Sequence, residues 1–446
     1  MKVQRRGRFE KVEVTADGKG LASHAGSALL VAVADKVGLT DALSEALAPT
    51  RERRSAHDPG EVVRDLCVML ADGGDCLADL GALRDQEDLF GRVASAPTAW
   101  RVVDSLCAEG MLERLRAARA KARERVWELG GRPERIVLDL DPTLITAHSD
   151  KEEARGDFKG GFGFHPMLCY LDESEEALSG LLRPGNAGSN TAADQVAVVD
   201  EALGQLPREL AEEAELLVRA DSAGLTHELL DFLHDANIRF SVGVDMTEDV
   251  RQAVLAIRER DWAPAISADG EEREKALVAE LELDLSGWPE GARAICRRER
   301  AHPGAQLSLI DQDGRRHQVF LTDQGGGLAE LDLDHRGHAR VEDRIRCGKD
   351  TGMRNLPFRE FAANEVWLEL SLIAQDLVAW TKALALDGEL ARSEPKRLRY
   401  RLLHQAGRIA RSGRRVRLRL ERSWPWAQAL VAALERIRAL PAPAPP

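Results

Sequence analysis

Between residues 131 and 246 the 446-residue chain strings short apolar runs between stretches of helical periodicity, and few folds accommodate that order. Arg135-Ile136-Val137-Leu138-Asp139-Leu140-Asp141 reads as a strand, followed by a polar loop to about residue 163. Residues 167–171 and 177–182 read as the next strands, 191–204 as a helix, 216–221 as a strand, 225–236 as a helix and 239–244 as a further strand. The strands are short and bounded by turn residues, whereas the helices repeat their apolar positions every three to four residues. The order β-β-β-α-β-α-β predicts an α/β (α+β) chain with a mixed sheet and helices packed on it.

The flanking regions have a different texture. Phe9-Glu10-Lys11-Val12-Glu13-Val14 alternates like a strand and the Asp17-Gly18 turn follows. Residues 25–130 read as helices, with runs at 28–47, 60–72, 101–116 and 117–129, and Ser95 with Pro97 mark a helix start. Residues 247–330 break the α/β rhythm. They hold a helix near 248–258, an acidic stretch at 269–284, and β-like segments at 291–298, 306–311 and 316–322, with a hairpin signal at Asp311-Gln312-Asp313-Gly314. Helices are then expected over 336–347, 361–385 and 425–439, a strand over 416–420, and a disordered Pro-rich tail.

Composition excludes several classes. The chain is 44% hydrophobic and 31% charged, long enough to bury a core without disulfide or metal staples. Aromatics at 4% disfavour a single-strand binder built on stacking. The six cysteines form no C-x-x-C pair, which argues against a zinc ribbon and a secreted disulfide framework. The amino terminus lacks an apolar signal core, and no run approaches 18 apolar residues, so a reducing cytoplasm is the expected location. The net charge of −13 divides unevenly: residues 1–330 sum to −21 and residues 331–446 to +8. Residues 171–290 alone carry −19, while residues 396–422 hold eleven basic side chains against Glu421. Such a basic stripe is the footprint of a polyanion partner; a high arginine background, 51 Arg to 11 Lys, is the competing explanation.

Three carboxylates stand where chemistry is expected. Asp141 ends one strand, with Asp139 on the same face two residues earlier, and Asp221 ends another. Strand ends are where α/β sheets place ligands, and paired carboxylates suit divalent cations in phosphoryl transfer, although strand-end aspartates also serve simply as caps. In H-R-G-H-A-R-V-E-D-R-I-R-C-G-K, His335, His338, Glu342 and Lys349 fall within about 60° of one helical face. Glu342 could complete a metal site and Lys349 meet a phosphate; Glu342 with Arg346 could equally be a surface i,i+4 pair. Asp343, Asp350 and Glu365 compete with Glu342, and Glu365 has Leu372 rather than a base seven residues on.

These segments together resemble the transposases of bacterial insertion sequences with an RNase H-like DDE catalytic domain, and within them the thirteen-eighty group. The matching stretches are V-L-D-L-D-P-T-L-I-T-A-H-S, F-G-F-H-P-M-L, L-L-R-P-G-N-A-G-S-N-T-A-A-D, V-R-A-D-S-A-G, R-R-E-R-A-H-P-G-A-Q-L, H-A-R-V-E-D-R-I-R-C-G-K-D-T-G, F-A-A-N-E-V-W-L-E-L and G-R-R-V-R-L-R-L. The resemblance implies Asp141, Asp221 and Glu342 as the catalytic, metal-holding triad, separated by 80 and 121 residues. Related transposases carry Tyr-x2-Arg-x3-Glu-x6-Lys around the glutamate; the chain keeps Glu342 and Lys349 but has His335 and His338 at the Tyr and Arg positions.

The resemblance further implies two Mg2+ ions, with Mn2+ as a substitute, double-stranded DNA as partner, both terminal inverted repeats and target, and a homodimer in the synaptic complex. DNA contacts are expected from Lys349, Arg346, His335, His338, Arg414, Arg415 and Arg417. The implied activity is cut-and-paste transposition. The alternative is an inactive or domesticated transposase acting as a DNA-binding repressor, whose mark would be a lost carboxylate; all three are present. The expected division is a strand and helical, DNA-binding region over 1–130, an RNase H-like core over 131–246 and 331–390, a β-rich insertion over 247–330, and a basic carboxyl-terminal region over 391–446.

Overall fold

The computed structural model describes residues 12–51, 56–209, 214–300, 314–413 and 415–442. The amino-terminal alternation up to residue 11, the β-like segment 306–311, all of the hairpin signal but Gly314, Arg414 and the last four residues of the tail lie outside them. Residues 12–15 are not strand; pairing begins at β1 (Leu21–Ala22). The helical region follows as α1 (Ala28–Lys36), α2 (Leu39–Leu47), α3 (Pro59–Asp72), α4 (Ala96–Leu106) and α5 (Met111–Val126). Asp58 caps α3 by accepting from the amides of Gly60 and Glu61, with Pro59 at the first helical position, where its missing N–H costs nothing.

The sheet begins with β2 (Ile136–Pro142). Three short strands, β3 (Ile145–Thr146), β4 (Arg155–Gly156) and β5 (Phe162–Phe164), fold the polar loop into a small sheet of its own, and β6 (Met167–Leu171) and β7 (Ala177–Leu181) return. Then come α6 (Ala192–Gly204), β8 (Leu216–Ala220), α7 (His227–Asp235), β9 (Arg239–Val244) and α8 (Glu248–Ala256). β10 (Ala263–Ile266), β11 (Glu272–Leu281), β12 (Arg293–Arg300) and β13 (Arg315–Thr322) complete a nine-stranded sheet in the order β10-β11-β12-β13-β9-β8-β2-β6-β7. β2, β8 and β9 run parallel, and the remaining pairings are antiparallel. This is the mixed sheet expected of an RNase H-like core. The 247–330 strands extend that sheet through the β13–β9 pairing instead of closing on themselves. The acidic stretch contains β11: after four charged residues, Glu272 to Lys275, the strand turns apolar, and Ala276, Val278, Ala279 and Leu281 are buried.

The chain closes with α9 (Leu328–Arg336), α10 (Arg340–Gly348), the long α11 (Phe361–Ala385), β14 (Gly407–Ser412), β15 (Arg415–Leu420) and α12 (Ala427–Ala439). The helix expected over 336–347 is therefore two helices joined by a 3-10 turn, Gly337–Ala339. β1, β14 and β15 form a separate three-stranded sheet. α11 is buried on every side, as a helix apolar all round must be, and both Trp367 and Trp380 are inaccessible. α1, α3 and α5 pack on it from one side and β7 from another, so one continuous core runs from Leu29 to Ile437.

Polar residues on α11 are bonded within that core. Arg116, Arg119 and Arg123 recur on one face of α5. Arg119 donates to Glu369 at 2.8 Å and to Asp376 at 2.7 Å; Arg123 donates to Glu176 at 2.9 Å and also to Asp376. The other Asp376 oxygen accepts the Ala177 amide at 2.8 Å, at the start of β7. Glu176 accepts further from the indoles of Trp127 and Trp380, at 3.1 and 2.7 Å. Removing one partner of such a buried network strands the others. We expect D376N to lose about 3–5 kcal/mol of stability in urea denaturation. R346A, which breaks an exposed pair with Glu394, should lose less than about 1 kcal/mol.

Candidate active site

The parallel register of β2 and β8 sets Asp139 opposite Arg219 and Leu140 opposite Ala220, so Asp141 and Asp221 follow side by side at adjacent strand ends. Asp221 then starts a 3-10 turn, its carboxylate accepting the Ala223 amide at 3.0 Å. Glu342 lies in the first turn of α10, exposed toward the same place. The three share one electrostatic field. Burial first, then the charges of Asp221, Glu342 and Asp139, push the Asp141 carboxyl up to about 7, against the opposing pull of His338. Asp221, His335, His338 and Glu342 line an open cleft of about 600 Å³, whose walls also carry Arg297, Arg316 and Arg336.

One step deeper along the strands lies a layer of paired charge. Arg219 binds both oxygens of Asp139, at 2.8 and 2.7 Å, and reaches Asp172 at 2.7 Å and the Asp334 carbonyl at 2.7 Å. His338 Nδ1 lies 3.0 Å from Asp139, and Arg340 grips Asp172 with two nitrogens, one at 2.7 Å. Residues 334–340 are thus fastened to β2, β8 and the end of β6, with Glu342 two residues beyond. Gly337 makes the approach possible: a Cβ there would stand 2.2 Å from an Arg219 nitrogen. Asp139, the rival of Asp141, is fully engaged in this layer. Asp172, Arg219 and Arg340 were not singled out from sequence. The available signal was period-two spacing, which puts Arg219 on the face of Asp221 just as Asp139 shares that of Asp141.

The other expected site residues separate. Lys349, in the turn after α10, donates to the Leu144 carbonyl at 2.9 Å; burial lowers its pKa, and Asp141 acts in the opposite direction. His335 stacks on Phe320 with ring centroids 4.3 Å apart and pairs with Ser241 at 3.0 Å; burial holds it down to about 3. His338 is held by Asp139, and both histidines also line the cleft. Arg346 pairs with Glu394 and Asp343, both at the surface. Arg415 and Arg417 are exposed on β15, in the separate small sheet, and Arg414 lies outside the described residues. Glu365 turns toward the helical region, half-buried near Arg116 and Cys107. Trp262 and Trp288 stack with Arg298 and His227.

Three hard carboxylate oxygens on converging elements are the donor chemistry that Mg2+ takes. Their oxygens do not all close to within 4.8 Å of one another, whereas the nitrogen, sulfur and oxygen ligand atoms of two other clusters among the described residues do. The donor set fits a pair of ions shared across the carboxylates. The expected outcome of E342Q is a loss of over a hundredfold in DNA cleavage, equivalent to about 3 kcal/mol, with E365Q close to wild type. R219M should cost both cleavage and stability, since it leaves Asp139 buried and unpaired; cleavage rates and urea midpoints on the same preparations check this.

No curated protein matches the sequence. A cryo-EM structure of a piggyBac transposase synaptic complex with hairpin DNA is similar at a TM-score of 0.41 and 10% identity, over 95% of this chain and 86% of that one. The family described as Transposase DDE domain group 1 matches residues 4–442, and the chain belongs to that family.

Proposed function

We propose that the protein is a cut-and-paste transposase of a bacterial insertion sequence, of the thirteen-eighty group, in which Asp141, Asp221 and Glu342 hold two Mg2+ ions. The observation that carries this reading is the register of β2 and β8, which sets Asp141 beside Asp221, with Glu342 lining the same cleft as Asp221. Mg2+, or Mn2+ in its place, would supply Lewis-acid polarisation of the scissile phosphate and neutralise charge on the leaving oxygen. The chain's own residues bind and orient. Arg219, Asp172 and Arg340 keep the carboxylates in place, and Lys349 stands beside Asp141 to meet a phosphate.

In this reading water attacks the phosphodiester at the element end in line and frees a 3′-hydroxyl, which then attacks target DNA by the same displacement. Two element ends would be brought together by a homodimer acting on DNA in the cytoplasm. No helix among the described residues is long and apolar enough to cross a membrane. Residues 131–246 and 331–390 would form the catalytic core, extended by 247–330. Residues 1–130 and 391–446 would hold DNA, the latter through Arg415 and Arg417.

The test is incubation of the full-length chain with duplex DNA bearing the flanking repeats, with products mapped to the nucleotide. Cleavage should vanish with a chelator, return with Mg2+, and fall over a hundredfold in D141N and D221N. Metal-independent binding without cleavage by the wild type would favour the repressor. Each lost phosphate contact removes roughly 0.9 from the log–log salt slope, so R415A/R417A should flatten it by about 2.

A further inference from the structure

A second convergence of ligand-type side chains lies outside the cleft and has no part in the chemistry above. His24 precedes the 3-10 turn Ala25–Ser27, Asp72 is the last residue of α3, and His404 follows the turn Arg399–Leu403. Their ligand atoms all lie within 4.8 Å of one another. His24 Nδ1 meets one Asp72 oxygen, and His404 Nε2 lies 3.2 Å from the other and 2.9 Å from the Asp72 carbonyl. The two rings stand 4.3 Å apart. Ser27 Oγ donates to the same carboxylate at 2.5 Å. Asp72 is buried, whereas the His24 and His404 side chains are 26% and 39% exposed, so the cluster opens to solvent.

Two imidazoles meet one carboxylate here; the hydrogen bond to Asp72 raises the His404 pKa, and Arg399 nearby acts in the opposite direction. Arg399 is itself committed to the carbonyls of Ala71 and Asp350. A single divalent ion satisfies both nitrogens at once, and the carboxyl end of the 14-residue α3 favours a cation. We propose that His24, Asp72 and His404 bind one borderline divalent cation, Zn2+ by preference, at a site separate from the catalytic carboxylates. Imidazole nitrogens with one carboxylate are a donor set zinc takes, leaving a position for water or the Asp72 carbonyl. Ser27 orients the carboxylate from behind. Binding would displace the proton that His404 Nε2 donates to the Asp72 carbonyl.

The site sits at the root of the arginine-rich hairpin. Ala22, two residues before His24, pairs with Gly407, three residues after His404. A bound ion would therefore clamp the amino-terminal segment, the end of α3 and the β14–β15 hairpin together.

The test uses the full-length chain carrying D141N/D221N, which silences the catalytic carboxylates as a competing site. After chelation and dialysis against micromolar Zn2+, about one zinc per chain should remain, and Tm should rise with Zn2+. Both effects should be lost when H24Q/H404Q is added, and H404C, which restores a zinc ligand, should recover retention. H404Q alone, at a half-exposed position, serves as the comparison if the double change unfolds by circular dichroism. Absence of zinc from the D141N/D221N chain, or equal zinc and equal Tm shift in a folded H404Q chain, overturns the proposal.

Discussion

The bidentate pair between Arg219 and Asp139 is the interaction on which the candidate site depends. It joins two neighbouring parallel strands at one rung of the register. Successive side chains on a strand point to opposite faces, so a slip of one residue would turn Asp141 and Asp221 away from each other. Hydrophobic side chains cannot enforce that rung alone, because the apolar residues of β2 and β8 are nearly interchangeable in size. A charge pair with two parallel hydrogen bonds tolerates no such slip. It also reaches across to the third element, since His338 and the Asp334 carbonyl close on the same two side chains.

The arrangement is costly in isolation. Buried ion pairs often contribute little net stability compared with well-packed apolar residues, because both charges lose their water. Among the described residues such networks nevertheless lie under the carboxylates and around Asp376. Each lies where three or more elements from distant parts of the sequence meet. The Asp376 network joins α5, α6, β7 and α11 through Arg116, Arg123, Glu201 and Gln205. What the networks supply is unique geometry: this arrangement pairs every charge, although one Arg119 nitrogen stays without an acceptor, and neighbouring arrangements leave a buried charge unpaired. For phosphoryl transfer, where carboxylates must be held in place, that is the relevant quantity.

Local periodicity was enough to read most elements in the first place. The strands around Asp139 and Asp221 and the helix over 361–385 follow from runs whose spacing has a single solution. The misses share a cause: tertiary partners decided them. β11 hides in an acidic stretch because its first four residues are all charged, and β14, with Ile409 and Ala410 as its only apolar residues, forms by pairing between β1 and β15. The break at Gly337 could not be seen from helical spacing, since its cause is the guanidinium of Arg219, more than a hundred residues earlier. The same holds at the site. Strand ends and the spacing to Lys349 make Asp141, Asp221 and Glu342 candidates beside other acids, and the resemblance to transposases singles them out. Sequence shows the helical face of His335 but not its stacking on Phe320.

The proposed substrate sets a last constraint, which is electrostatic. A chain of net charge −13 can hold a polyanion only if its charges are segregated. At the cleft this segregation is partial. Arg297 and Arg336 reach the wall, yet both lean on Asp332, at 3.5 and 2.9 Å, so much of their charge is already answered. The carboxylates themselves repel phosphate until cations neutralise them. Affinity for DNA must then come chiefly from elsewhere, and the exposed arginines of β15 are the obvious source. Separating the two has a chemical use: a cleft that is not strongly cationic on its own releases a phosphodiester that arrives without metal, so tight binding is reserved for the state able to react. In the proposed reading the β14–β15 hairpin would keep the same DNA from leaving, and the rigidity of its root, where His24, Asp72 and His404 converge, would then matter to the reaction.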